Sequence, residues 1–399
     1  MSYNLKKILL VELESKGHHF AGFLNAIIKQ LILKDVKIYL LTCRKNKKFL
    51  KNNEIFDKKI NFIFCNNITY PKSKNLLSFL KFQFQAYNLL KTNWGKNLIT
   101  KKFDFIYLNN MDHYDKMISI FGSPFGNTNV GGLFLNPSFI NNISENYRNF
   151  LKKKILKILF LKLFLIKKIK RIFIIDPIAY SKIKNSNKLV SQKLMLVNDI
   201  GTSNVINIKN KKDYHSKKKF RILVFGSIRK DKSIDTLLET LKYKFSKKIE
   251  IIIAGAIDNE TKTLISTYLK DKEKWVNELK IYDKFISFKM EKNLFLKSNL
   301  IWTGFKKNKY ASSGVFFQAS LYKKPVITCN HGLVNFFNNK YKIGKSINLE
   351  NQKLINSTIE DFIKKKISVP DENFEKLNKA HNSNQVAKSI VKSFIQYFA

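Results

Sequence analysis

Residues suited to holding phosphate gather in two stretches of the second half of the chain. In GSIRKDKS, residues 226–233, Gly226 permits a tight turn, Ser227 offers a hydroxyl, and Arg229 and Lys232 carry positive charge. In YASSGVFFQASLYKKPVITCNHG, residues 310–332, Ser312, Ser313 and Gly314 stand just before an apolar helical run. Backbone N–H groups at a helix start, joined by two hydroxyls, make an anion cradle. An ordinary serine N-cap uses the same residues, and a basic turn is commonly a solvated face. Two phosphate-competent helix starts in one half of the chain suit a ligand with two phosphates. In the first half, Gly17, His18 and His19 lie in a turn after the first apolar run, and Asp112 and His113 lie in NNMDHYD after a later one. Side chains of these types can hydrogen-bond a polar ligand. Capping, packing or a polar surface loop would use them equally well. Gly131 and Gly132 in NVGGLFLNP are expected to form another tight turn.

These residues need elements that aim them. KILLVE (7–12), VKIYLLT (36–42), NFIFC (61–65), FDFIYL (103–108) and RIFIID (171–176) read as strands. Between the first two, Phe20, Phe23, Leu24, Ile27, Ile28 and Leu31 form one stripe of an amphipathic helix. A strand–helix–strand unit of this kind is parallel and right-handed. Residues 207–219 are charged, aperiodic and linker-like. The alternation then resumes with strands at 220–226, 248–255, 285–289, 299–304 and 326–330. The fold class is therefore α/β, with two Rossmann-like domains. Residues 1–206 form the first and 220–372 the second, and the helical segment 373–399 is expected to cross to the first. In such sheets, ligands bind at the carboxyl ends of strands, where both phosphate stretches fall.

Composition narrows the partners. A chain of 399 residues with 44% hydrophobic residues can bury two cores. The net charge of +45 favours polyanions or an anionic membrane surface. Nearly all of it is lysine. Arg44, Arg148, Arg171, Arg221 and Arg229 supply the guanidinium groups, which argues against nucleic acid, where bidentate arginine geometry is favoured. Cys43, Cys65 and Cys329 are far apart and form no CxxC, which suits a reducing cytoplasm and gives no zinc signal. The amino-terminal run lacks a cleavage site and reads as a strand, and no apolar run is long enough to span a bilayer. FLKKKILKILFLKLFLIKKIKR, residues 150–171, reads as a basic amphipathic helix that packs on the sheet or lies in an anionic interface.

The second domain resembles the carboxyl-terminal half of the retaining GT-B glycosyltransferases. ILVFGSIRKDKSIDTLLETL is similar to that family's strand, turn and helix, and SSGVFFQASLYKKPVITCNHGLV to its donor-binding helix and following strand. ISFKMEKNLFLKSNLIWTGF fits the segment between. The resemblance covers roughly residues 220–350, and the first half only in outline. It implies two domains facing each other across a cleft, a nucleotide-sugar donor, and no metal or cofactor. Arg229, Lys232 and His113 would be catalytic, with Gly226, Ser227, Tyr310, Ser312, Ser313, Gly314 and Gln318 on the donor. Gly17, His18, His19 and Asp112 would line the acceptor side or cleft. Where the family has two glutamates eight positions apart, this chain has Tyr310 and Gln318. The expected acceptor is a lipid-linked or surface glycan, and the expected location is cytoplasmic, peripheral on the membrane. The alternative is a non-catalytic subunit or polyanion-binding protein of the same fold.

Overall fold

The computed structural model describes residues 6–14, 20–52, 58–71, 76–137, 147–201, 219–307, 309–310 and 312–398. Gly17, His18 and His19 lie outside the described residues, as does the expected linker except residue 219. The chain divides into two compact units. Unit 1 contains Met1–Ser203 with His381–Ala399, and unit 2 contains Asn204–Ala380.

Unit 1 is built on a parallel sheet of β1 (Lys7–Val11), β2 (Lys37–Cys43), β3 (Ile60–Cys65), β4 (Phe105–Leu108), β5 (Asn129–Phe134), β6 (Ile169–Ile174) and β7 (Leu194–Leu196). Their order is β3-β2-β1-β4-β5-β6-β7. Its helices up to that point are α1 (Asn25–Ile32), α2 (Lys47–Asn52), α3 (Leu76–Asn93), α4 (Asp115–Phe121), α5 (Tyr147–Lys162), α6 (Pro177–Ile183) and α7 (Lys188–Lys193). Unit 2 has the order β10-β9-β8-β11-β12-β13, again all parallel. The strands are β8 (Phe220–Phe225), β9 (Ile249–Ala254), β10 (Glu278–Tyr282), β11 (Leu300–Trp302), β12 (Val326–Cys329) and β13 (Gly344–Ile347). Its helices are α8 (Ile234–Glu239), α9 (Asn259–Lys270), α10 (Phe288–Lys297), α11 (Gly314–Leu321), α12 (Gly332–Tyr341), α13 (Gln352–Ile363) and α14 (Asp371–Ala380). α15 (Ser383–Ile395) returns to unit 1.

Strand alternation sets the two faces of the first sheet. Ile8, Leu10, Ile38, Leu40, Phe105 and Tyr107 form one core with Ile27, Ile28 and Leu31 of α1. α15 adds Ile390, Val391 and Phe394, whose ring stacks on Phe105 at 5.1 Å. Burying such a ring contributes about 1.5–3 kcal/mol. Leu133 of β5 joins this core, and the next residue, Phe134, points the other way and meets Phe160 of α5 at 4.9 Å.

Four local expectations change. Residues 285–289 are not a strand: β10 lies at Glu278–Tyr282, and Ser287 caps α10 by accepting from the Met290 N–H. The strand was hidden because its charges are paired, Lys280 with Glu250 and Glu278 with Lys219 and Lys248. The run 150–171 is not one helix, since α5 ends at Lys162 and β6 begins at Ile169. Residues 373–399 are two helices, α14 in unit 2 and α15 in unit 1. Gly131 and Gly132 form no turn but lie inside β5. A Cβ on Gly131 would stand 2.7 Å from the Phe105 ring and 2.9 Å from the Arg171 oxygen. These glycines let neighbouring strands and rings approach.

Candidate functional site

Chain order reverses between β8 and β11, the place where an open parallel sheet leaves a crevice at its carboxyl edge. The turn after β8 is shaped there by two glycines. Gly226 has φ +89° and Gly255, at the end of β9, has φ +144°. A Cβ on Gly255 would sit 1.7 Å from the Gly226 oxygen, so only glycine fits. Gly226 N–H donates to the Ala254 oxygen at 3.0 Å, fixing the turn to the neighbouring strand.

Lys232 turns back over this glycine. Its Nζ donates to the Phe225 oxygen at 2.8 Å, and its own carbonyl accepts from Trp302 Nε1 at 2.9 Å. Burial, then the nearby charge of Arg229, lowers Lys232 to about 8. The amino end of α11 arrives at the same place. A Cβ on Gly226 would lie 3.5 Å from Val315 Cγ2 and 3.9 Å from Lys232 Nζ. The structure thus brings together Gly226, Lys232 and the start of α11.

Ser313 occupies the N-cap position of α11 with extended backbone, yet its side chain makes no capping bond to the helix. The simple N-cap role is therefore not used. Gly314 is the first helical residue of α11, so its place there is not forced by a left-handed φ. The loop from β11 to α11 is tied to the turn after β8. Lys306 N–H donates to the Asp231 oxygen at 2.9 Å, and Lys309 pairs with the Asp231 carboxylate at 3.2 Å. Arg229 pairs with the same carboxylate at 3.4 Å, and Ser227 is exposed. α8 begins after Ser233, which is buried and left-handed, and is only six residues long. Its end is not a second cradle.

Gln318 points to a carboxylate the sequence reading missed. Its Nε2 donates to Glu291 Oε1 of α10 at 3.4 Å, and burial raises the Glu291 carboxyl above its usual range. Tyr310, where the resembled family has its first glutamate, is half-buried. Nearby, a cavity of about 300 Å³ opens between α8, the loop after β11, and the ends of β12 and β13. Lys306, Asp235, His331 and Glu350 line it, and Lys306 Nζ is 2.7 Å from Asp235. Tyr310, Ser312, Ser313, Gly314 and Gln318 are not on its wall.

In unit 1, Asp112 and His113 follow β4, at the carboxyl edge, as expected of a site loop. Asp112 Oδ2 accepts from the N–H groups of Leu135 at 2.7 Å and Asn136 at 3.2 Å, so it holds the segment after β5 in place. Burial, then the charge of Asp115, pushes its carboxyl up to about 7. His113 is buried between Tyr70 and Phe82, with ring centroids at 5.5 and 5.2 Å. That burial lowers it to about 4 and keeps it neutral near pH 7. Nε2 lies 3.1 Å from Asn110 Nδ2 and accepts from it, while Nδ1 is buried without a partner. A neutral ring that accepts at Nε2 carries its proton on Nδ1. The loop therefore holds buried polar atoms without partners, His113 Nδ1 and Asn110 Oδ1. Glu12, at the end of β1, accepts from Asn109 Nδ2 at 2.7 Å and is pushed up to about 7 by burial.

Among the described residues, no group of three or more His, Cys, Asp or Glu side chains could hold a metal ion. No helix among them is long and apolar enough to cross a membrane.

No family model matches the sequence, and no curated protein matches it. Solved structures do match the fold. A glycosyltransferase from Rickettsia africae is 13% identical with a TM-score of 0.66, covering 99% of each chain. The Anabaena protein HepE in complex with UDP is 12% identical with a TM-score of 0.62, covering 98% of this chain and all of its own. A putative UDP-N-acetylglucosamine 2-epimerase from Listeria monocytogenes is 10% identical with a TM-score of 0.60, covering 99% of this chain and 97% of its own. At this level of identity, the likeness speaks for architecture alone. The chain has the GT-B fold, the two-unit parallel α/β architecture of the GT-B glycosyltransferases.

Proposed function

We propose that the protein transfers a sugar from a nucleotide-sugar donor, with UDP as the first nucleotide to test, to a lipid-linked or surface glycan, with retention of configuration. The observation that supports this best is the convergence of Lys232 and the amino end of α11 over Gly226. A diphosphate placed there would meet a cation and helix amides together, in a position fixed before the ligand arrives. The bond between the anomeric carbon and the diphosphate oxygen breaks. The acceptor oxygen bonds to that carbon on the same face, and the leaving phosphate takes the acceptor proton. Lys232, Arg229 and the amides around Ser312, Ser313 and Gly314 would stabilise the charge on the leaving group, so the step asks for no metal ion or cofactor. Gln318, together with Glu291, would bind the ribose hydroxyls, and Tyr310 would lie along the donor. Gly226 and Ser227 complete the donor turn.

In unit 1, His113 would lie beside the transferring sugar. Asp112 would support that loop, with Gly17, His18 and His19 kept as acceptor-side candidates. The reaction we propose takes place in the cytoplasm.

Titrating the protein calorimetrically with UDP, and incubating it with UDP-sugars while following UDP release and the anomeric configuration of the product, tests this reading. Lys232→Ala should weaken UDP about ten- to a hundredfold by removing a charge-assisted bond of about 1.5–3 kcal/mol. Equal affinities would remove Lys232 from the site, and an inverted product would end retention. A second reading is favoured by Tyr310 and Gln318 standing where the resembled family has glutamates. In it, the protein is a non-catalytic subunit, and UDP would bind without any sugar being turned over.

A further inference from the structure

α3, α4 and α5 lie side by side on the face of the first sheet away from α1 and α15. Phe84 of α3 meets Phe121 of α4 at 6.4 Å between ring centroids, and Tyr87 OH donates to the Phe121 oxygen. Ser119 of α4 donates to the Leu159 oxygen of α5 at 2.7 Å. Their inner sides are buried, as Phe82, Leu90, Ile118, Leu156 and Phe160 show. Their outer sides are not covered by anything among the described residues. Phe84, Ile120 and Phe121 are exposed, the last by 57%. On α5, Leu151, Ile155 and Ile158 repeat at i, i+4 and i+7 and are exposed too, Ile155 by 57% and Ile158 by 48%. Leu165 continues this stripe just past the helix.

Among the described residues, charge on this face has one sign. α3 and α5 contain no Asp or Glu. The acid of α4, Asp115, is buried in a 2.9 Å pair with Lys116. Exposed lysines stand among the apolar side chains: Lys81 on α3, and Lys154, Lys157 and Lys162 on α5. Elsewhere, some lysines are paired with acids, as Lys262 is with Asp283 and Lys323 with Asp371.

We propose that the outer face of α3, α4 and α5 docks on a membrane surface rich in anionic lipid. Apolar side chains surrounded by unopposed lysines match the acyl–headgroup boundary, where the rings and aliphatic tips enter and the ammonium groups stay among the phosphates. An acidic protein would satisfy the lysines but would need its own apolar face for the exposed stripe. A second copy of this chain would set lysine against lysine. The inference does not rest on the transferase reading, since vesicle binding is measured without any donor or acceptor.

Co-sedimentation of the full chain with phosphatidylcholine vesicles, with and without phosphatidylglycerol, tests it. The wild type should bind the anionic vesicles and not the neutral ones. Combining Phe121→Ser, Ile155→Ser and Ile158→Ser should lower binding at least about tenfold with the melting temperature held, because these side chains are already exposed. Lys154→Glu, Lys157→Glu and Lys162→Glu together should do the same. Lys270→Glu, Lys353→Glu and Lys379→Glu, exposed in unit 2, should leave binding nearly unchanged. If this last set weakens binding as much as the α5 set, overall charge is responsible and the docking face is refuted. Undiminished binding by the serine variant would refute it as well. So would a dimer in solution that the serine substitutions dissociate, since the face would then belong to a second copy.

Discussion

A lysine that titrates near neutrality makes the proposed donor site sensitive to pH. Burial and the nearby Arg229 lower Lys232 to about 8, so the free site holds its charge below pH 7 and loses it as pH rises through 8. UDP affinity should therefore fall about fivefold between pH 8 and pH 9 in the wild type and stay flat in Lys232→Ala. Parallel profiles from calorimetry would show that another group titrates. That Gly226 and Lys232 share one turn was legible, because a glycine that ends an apolar strand and a nearby lysine are local signals. Glu291 was not, because its relation to Gln318 depends on α10 and α11 packing across a stretch of chain that no local pattern joins. His113 was legible by position. Its buried, unpartnered Nδ1 was not, since the rings around it come from residues 70 and 82.

Among the elements, glycine geometry decides more than helix or strand propensity. Gly255→Ala should cost unit 2 about 3–5 kcal/mol, because both the φ of +144° and the Gly226 oxygen oppose a side chain. Gly95→Ala, with nothing within 4 Å of the added carbon, should stay within about 1 kcal/mol. Thermal melts of the two variants check this, and equal melting temperatures would mean the turn after β8 relaxes freely. The buried strands β1, β2, β4, β8 and β9 were readable from their apolar runs. β5 was read as a turn because its glycine pair looks like one, although the glycines serve close strand packing. β10 was missed because a strand at the sheet's edge can keep its charges by pairing them across to β9 and the Lys219 region. Beyond Lys162 the lysine-rich pattern looks helical, yet Ile169 pairs with Val130 and the segment becomes β6.

Over the whole molecule, unit 1 is made from two separated pieces of chain. Phe394→Ala should destabilise unit 1 by about 3–5 kcal/mol, since it removes a fully buried ring stacked on Phe105. Differential scanning calorimetry should show one transition moving down while UDP binding, proposed for unit 2, is unchanged. A shift of both transitions together would mean the units melt cooperatively. The division into two α/β units was legible from the alternation of strands and helices. The net charge was legible as a number, but its use was not. Lysines such as Lys262 and Lys323 pair with acids, and only the structure separates these from the exposed lysines beside Ile155 and Ile158. The return of α15 also has a consequence for biosynthesis. On the ribosome, the strands of unit 1 emerge while the helix that covers Phe105 and Tyr107 is still to be made. The amino-terminal unit, synthesised first, is therefore finished last, and its uncovered rings are what a chaperone would meet during the delay.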